Sequence, residues 1–319
     1  MTIANLTRTI GVEIETIVPR SLRSRDYGQG VIARTITQAF EDAGIYQSCR
    51  AEGYNHHTRS HWKVVGDGSL DGRGHEIVSP PLDAPAMKAQ LIVVCAALES
   101  LGCTVDRSTG LHVHHDAADL TEQQVGRAFA TYATFQDILS QMVAPSRRNS
   151  HWSAPLSWSR ITENGTDKFD NARRGRRAND SIERKIHTRV NRTRYAAMNI
   201  EAVFVHGTIE FRQHQGSLNA EKIFNWVLVT QSIIESAVQG TGRNLKPTSV
   251  IRAEGKPNAF RKRGEFARFR DTVAVAPYQN GVPKTSVAGD SYDSIREACN
   301  YYEPAFRYFA KVVKKFAAQ

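Results

Sequence analysis

Cysteine is scarce: Cys49, Cys95, Cys103 and Cys299 are the four in 319 residues, and none forms a CxxC pair. That spacing excludes a zinc knuckle and a dithiol redox motif, and it suits reduced thiols in a cytoplasm. No apolar run approaches the ~18 residues a membrane span needs. The longest, Leu91 to Leu98 (LIVVCAAL), reads as part of a buried helix. The opening MTIANLTRTIGVEIE has no basic-then-apolar layout, so no secretory leader is expected. Neither GxGxxG nor GxxxxGK followed by Ser or Thr occurs, which argues against Rossmann and P-loop nucleotide binding. No internal repeat is present.

What remains is an ordinary globular composition, 40% hydrophobic and 23% charged, on a chain long enough for a substantial core. Basic residues outnumber acidic ones, 42 against 32, for a net charge of +10. Such an excess draws polyanions: nucleotides, nucleic acid or membrane surfaces. It is concentrated in Arg173 to Arg194, where nine Lys/Arg face only Asp180 and Glu183. A charge run of this kind is usually a solvated face. The sharper readings are an arm over a triphosphate or a nucleic-acid contact.

Ile10 to Ile17 (IGVEIETI) alternates apolar and polar residues and predicts a strand. Val31 to Ala43 predicts a helix stopped by Gly44, and Pro85 to Glu99 another stopped at Gly102. Trp62 to Val65 and Glu76 to Val78 read as paired strands around the turn-rich GDGSLDGRG. Thr104-Val105 and Leu111 to His115 read as further strands, and Thr121 with Gln124 as a capping box opening a helix to about Met142. Strand-like pieces follow at Tyr195 to Ile200, Ala202 to Val205 and Thr208 to Gln213. Asn219 then caps a long helix, Ala220 to Val238. A helix is expected near Phe260 to Arg270, and a last one from Tyr292 onward, interrupted at Pro304. Without strict βαβ alternation, this order predicts an α+β fold with a mostly antiparallel sheet.

Three of these strands carry polar pairs at i and i+2: Glu13 and Glu15, His112 and His114, Glu210 and Arg212. Side chains two apart share a strand face, ~7 Å apart. The intervening Val12, Ile14, Val113, Ile209 and Phe211 are core formers, and Glu76 on a fourth strand is flanked by Ile77 and Val78. Any one such strand is explained by a solvated sheet face. The set is not, because such faces favour Thr, Lys, Ser and Gln alongside Glu. Four carboxylates, two imidazoles and a guanidinium are the inventory of a metal site with an anionic partner. Crowded carboxylates repel unless a cation neutralises them. Hard oxygen ligands with some imidazole suit Mg²⁺ or Mn²⁺ carrying ATP phosphates, and suit zinc less well.

Taken in order, GVEIE (Gly11 to Glu15), DGSL (Asp67 to Leu70), HEIVSPPL (His75 to Leu82), GLHVHHD (Gly110 to Asp116) and TIEFRQ (Thr208 to Gln213) resemble the amidoligase family, related to glutamine synthetase and glutamate–cysteine ligase. The resemblance spans roughly Ile10 to Trp226. It implies a glutamine-synthetase-like catalytic domain over residues 1–240, a curved, mostly antiparallel sheet forming a funnel with helices on its outer face. An Arg-rich insertion lies near 145–194, and residues 241–319 form a helical extension packed on the domain. By that resemblance Glu13, Glu15, Glu76, His112 and Glu210 are metal ligands, and His112 and His114 meet metal or nucleotide phosphate. Arg212 serves the transferring phosphoryl, with Arg194 or Arg192 in a second arginine role. Asp67 sits in an Asp-Gly turn that structure alone explains; the resemblance points it toward the substrate amine. Asn199 is a further candidate. The implied enzyme is a cytoplasmic, ATP- and Mg²⁺-dependent carboxylate–amine ligase working through an acyl phosphate, with amino acids, peptides or amines as substrates and no membrane partner.

Two rival readings remain. HVHHD resembles part of a binuclear hydrolase motif, but Ala117 stands where its next histidine would be, and the glutamate strands go unexplained. The basic run suggests a nucleic-acid-binding protein or a nucleic-acid-linked acceptor, without a recognisable binding module. His56, His57 and His61 read as surface residues, and Trp152 and Trp158 as anchors of the insertion.

Overall fold

The computed structural model describes residues 8–148, 150–156, 194–239, 266–270, 272–273, 278–279, 282–283 and 292–317. The chain is a mixed α/β protein. Seven strands run in the order β2-β3-β4-β1-β5-β7-β6: β1 Ile10–Ile17, β2 Cys49–Ala51, β3 Trp62–Gly66, β4 Gly74–Val78, β5 Gly110–Asp116, β6 Met198–Asn199 and β7 Thr208–Gln215. The β1–β4, β1–β5, β3–β4 and β6–β7 pairs are antiparallel and β2–β3 is parallel. The helices are α1 Arg25–Asp42, α2 Ala84–Ser100, α3 Glu122–Gln141, α4 Ala202–His206, α5 Ala220–Gln239 and α6 Tyr292–Ala317. A small hairpin pairs β8 (Tyr278–Gln279) with β9 (Val282–Pro283). No described helix is long and apolar enough to cross a membrane.

The chain divides into two compact units. One comprises Leu6–His115 and Arg212–Val227. In it β1 lies between β4 and β5, and its Ile10, Val12 and Ile14 are fully buried. Burying such a side chain contributes about 1.5–3 kcal/mol. On β3, Trp62 and Val64 are likewise buried. The Trp62 indole donates to Gln90 Oε1 on α2 at 2.7 Å, and its ring lies 6.4 Å from Phe40 on α1. The helices therefore cover one face of the sheet, and the alternate residues of the same strands occupy the other.

The second unit comprises Met1–Asn5, Asp116–Phe211 and Leu228–Gln319. There β6 pairs with the first half of β7, setting Asn199 opposite Glu210. Tyr132 of α3 packs its ring 5.8 Å from Phe211. Gln136 of α3 holds Leu156 in both directions, donating to its carbonyl and accepting from its amide. Phe269 sits between Phe135 of α3 (5.3 Å) and Phe306 of α6 (6.1 Å).

Several sequence expectations need correction. The first helix begins at Arg25, capped by Ser24, not at Val31. Gly28 and Gly30 weaken the helical signal there, but a Cβ at Gly28 would collide with the Leu22 carbonyl. Ala202 to Val205 is a helical turn rather than a strand. Its β-branched residues are overridden by the reversal between β6 and β7, which Gly207 closes at φ 67. Thr104-Val105 contributes only an isolated bridge, from Thr104 to Ile17. Within Tyr195 to Ile200 only Met198–Asn199 is a strand. Pro304 does not interrupt α6, which runs through it to Ala317. The lost backbone donor costs about 3 kcal/mol, and burial of Tyr302, Ala305, Phe306 and Phe309 around it offsets that. Of the helix expected near Phe260 to Arg270, residues 266–270 are helical. Trp158 and all of Arg173 to Arg194 except Arg194 lie outside the described residues.

Candidate functional site

Register decides which side chains meet. Glu13 pairs with His112 on one side and Val78 on the other, and Glu15 pairs with Glu76. Directly paired residues project to the same face. With Ile10, Val12 and Ile14 committed to the helix side, Glu13, Glu15, Glu76, His112 and His114 all occupy the opposite face.

The distances are short. His112 Nδ1 lies 2.8 Å from Glu13 Oε2 and 4.0 Å from Glu76 Oε1, while its Nε2 lies 3.4 Å from Glu15 Oε1. His114 Nε2 is 3.3 Å from Glu13 Oε1. The Gly110 backbone N–H donates to Glu15 Oε2. Ligand atoms of Glu13, Glu76 and His112 all fall within 4.8 Å of one another, as do those of Glu15, Asp67 and Glu76. Glu76 is common to both sets. Asp67 caps the short turn Gly68–Leu70 and accepts from the Ser69 N–H at 2.7 Å.

The electrostatics are uneven. Burial alone would push Glu13 up, but the His114 and His112 imidazoles outweigh it and hold its carboxyl well below the usual range. Glu76 goes the other way: burial, then Glu13, Asp67 and Glu15, raise it well above that range. Two imidazoles thus serve Glu13 while Glu76 is left among like charges. A divalent cation taking one oxygen from each group would relieve that repulsion, and the oxygen-rich donor set with one imidazole fits Mg²⁺ or Mn²⁺. The residues present therefore fit the metal that the sequence implies.

Arg212 belongs to the same unit and is half-buried on β7. Glu210 belongs to the other unit, is buried, and accepts from Asn199 Nδ2 at 2.7 Å. Arg194 is exposed beside Tyr195, its guanidinium 5.1 Å from that ring. Arg192 lies outside the described residues. Trp152, 42% exposed, packs edge-on against Tyr195 and His151. His115 does not join His112 and His114, because it pairs with Ile10 and is buried on the helix side.

Sequence reasoning missed Lys63. It lies on the carboxylate face of β3, opposite Val78, and is 5% exposed. The signal was a single lysine alternating with Trp62 and Val64, which is also what an ordinary solvated strand shows. The Gly110 amide was missed because a backbone donor has no side chain to betray it.

A family model described as a putative amidoligase enzyme matches residues 6–234. No curated protein matches the sequence. Among solved structures, the chain is similar to one titled as the complex between prokaryotic ubiquitin-like protein Pup and its ligase PafA, at 11% identity and a TM-score of 0.41, covering 96% of this chain and 64% of that one. It is similar also to a bifunctional glutathione synthetase from Pasteurella multocida, at 9% identity and a TM-score of 0.42, covering 98% of this chain and 52% of that one. The chain thus spans between half and two thirds of the length of these two.

Proposed function

The chain belongs to the amidoligase family, and from that premise we propose that it is an ATP- and Mg²⁺-dependent ligase that activates a carboxylate as an acyl phosphate and joins it to an amine. The observation that supports the reading most is the gathering of Glu13, Glu15, Glu76 and His112 on one sheet face at coordinating distances. In this reading the catalytic part is residues 1–240, glutamine-synthetase-like and funnel-shaped, with the Arg-rich insertion near 145–194 and residues 241–319 as an extension.

Carboxylate and amine do not condense in water, because the carboxylate is a poor electrophile with a poor leaving group. The substrate carboxylate oxygen takes the γ-phosphoryl of ATP and ADP leaves. The amine nitrogen then bonds to the acyl carbon, the C–O bond to phosphate breaks, and the nitrogen gives up a proton. Such transfer is mainly positioning and charge neutralisation. Glu13, Glu15, Glu76 and His112 would hold the cation, with Glu210 as a further ligand. The cation supplies neutralisation of phosphate charge. His114 fixes Glu13, whose second oxygen it meets. Arg212 would meet the transferring phosphoryl with a planar fork that lysine does not reproduce, and Arg194 or Arg192 would assist it. Asp67, beside Glu15 and Glu76, is the carboxylate assigned to the amine proton.

The test is a Mn²⁺ titration followed by electron paramagnetic resonance, beside a phosphate-release screen with Mg·ATP over amino acids, short peptides and aliphatic amines. Glu13→Gln is expected to weaken Mn²⁺ at least tenfold and to abolish stimulated phosphate release while the circular dichroism spectrum is retained. Wild-type behaviour in that variant rejects the site.

A further inference from the structure

Strand β2 is parallel to β3, yet only residues 52–61 join them. A parallel connection must carry the chain back along the strand, usually through a dozen or more residues and a helix. Here the return is short and irregular, and it needs fastening. The side of the sheet it crosses is given by Lys63. In register, Lys63 pairs with Val78, Val78 with Glu13, and Glu13 with His112, so one cross-strand row carries all four on the carboxylate face. The Lys63 and Glu13 backbones are two strand spacings apart, about 10 Å.

Lys63 Nζ donates to the Asn55 carbonyl (3.2 Å), Asn55 Oδ1 (3.1 Å) and the His57 carbonyl (3.0 Å). Those three bonds use the whole donor capacity of an ammonium. The return segment is therefore tied down over the carboxylate face, from beneath. Its outer edge is tied by Glu52, which accepts from Arg59 Nε (3.0 Å) and Asn55 Nδ2 (2.9 Å) and meets His61 Nε2 at 2.9 Å. Asn55 joins the two anchors. Between them the segment presents Tyr54, 59% exposed, braced by the His56 ring edge-on at 5.0 Å.

We propose that the Glu52–His61 crossover is a preformed wall of the substrate site, held by Lys63 as a positioning residue, and that it receives the amine-bearing substrate through the Tyr54 ring. This rests on the reading of the carboxylate face as the ligase site. An amine reaches the enzyme mostly as an ammonium at neutral pH and sheds one proton to solvent before it attacks, and an exposed tyrosine ring attracts the cation through its quadrupole. Lys63 spends its protons on carbonyls rather than on Glu13 or Glu76, so it orders the wall without taking the place of a metal.

The experiment uses the full chain and the amine that gives the strongest phosphate release in the screen above. Lys63→Met removes the three donors at similar length. Its half-saturating amine concentration is expected to rise tenfold or more, with Mn²⁺ affinity within threefold of wild type. Amides of residues 53–60 should also exchange faster. Asn55→Ala, which unlinks the two anchors from the solvent side, should act in the same direction and serves if Lys63→Met does not fold. Tyr54→Ala should raise the half-saturating amine concentration about two- to fivefold, the worth of an exposed cation–π contact, and Tyr54→Phe should leave it unchanged. Unchanged amine dependence in Lys63→Met or Asn55→Ala overturns the proposal, as does equal loss of Mn²⁺ affinity, which would make Lys63 part of the metal site's support. A wild type that neither binds Mn²⁺ nor responds to any amine overturns the ligase reading itself, and the wall falls with it.

Discussion

Glu76 is the residue under most electrostatic load. It is paired with Glu15 across the strands, lies near Glu13 and Asp67, and has the least imidazole support. Replacing a group that is repelled by its neighbours removes the repulsion but also removes a proposed ligand. Glu76→Gln is therefore expected to raise the melting temperature of the metal-free protein while at least tenfold weakening Mn²⁺. Calorimetry in EDTA and a Mn²⁺ titration measure the two effects, and a fall in both would mean that Glu76 is held by structure rather than by a cation. The ionisable half of this arrangement was legible in the sequence: Glu13, Glu15, His112 and His114 were found by period two alone. Lys63 was not, because a lysine in a strand has the same signature whether it meets water or a loop carbonyl. Asp67 reads in the sequence as a turn residue that the resemblance points toward the substrate amine, and the fold sets its oxygen near Glu15 and Glu76.

Among elements, the strands bearing the site were the most readable, since β1 and β5 alternate cleanly. The parallel edge strand β2 was not readable. Its three residues, Cys49–Ala51, are too few to establish a period. The start of α1 was harder to read than its end for a physical reason visible at Gly28: a glycine demanded by a close backbone approach looks like a helix breaker. Gly74 is a related case. It ends the β1–β4 pairing opposite Ile17, and a Cβ there would strike the Thr16 carbonyl and the Leu70 side chain. Gly74→Ala should cost about 1–3 kcal/mol, seen as a lower urea midpoint with an unchanged slope. The crossover after β2 is expected to be acid-sensitive. Arg59 chiefly, with His61 and Asn55, lowers Glu52 to about 2 against the usual 4.5. A depressed carboxyl contributes stability that is present above the unfolded value and lost as pH falls toward the folded one. The stability gap between wild type and Glu52→Gln should then be full near pH 6 and shrink between pH 4.5 and 2. A gap independent of pH would show that Glu52 acts by shape alone.

For the molecule as a whole, the proposed ligase reading links ligand binding to folding, because Glu76 is buried among like charges that a cation would neutralise. A ligand at a hundred times its dissociation constant stabilises by about 2.7 kcal/mol. Mg²⁺ with ATP should raise the melting temperature, EDTA should reverse the rise, and Glu13→Gln should show neither. Composition and charge revealed little of this. The +10 excess is a property of the whole sequence, whereas the site is acidic and local, and its sign is opposite to the average.

The pairing of β1 on both edges has a hereditary consequence. Loss of one codon between those for Ile10 and Ile17 would turn over the part of the strand on one side of the loss, carrying glutamates toward the helix-covered face and isoleucines toward the carboxylate face. Single-letter changes in that stretch alter one side chain each, but a shift in reading length turns over every side chain on one side of it. In descendants of this gene, insertions and deletions should therefore accumulate elsewhere while the spacing from Ile10 to Ile17 stays constant.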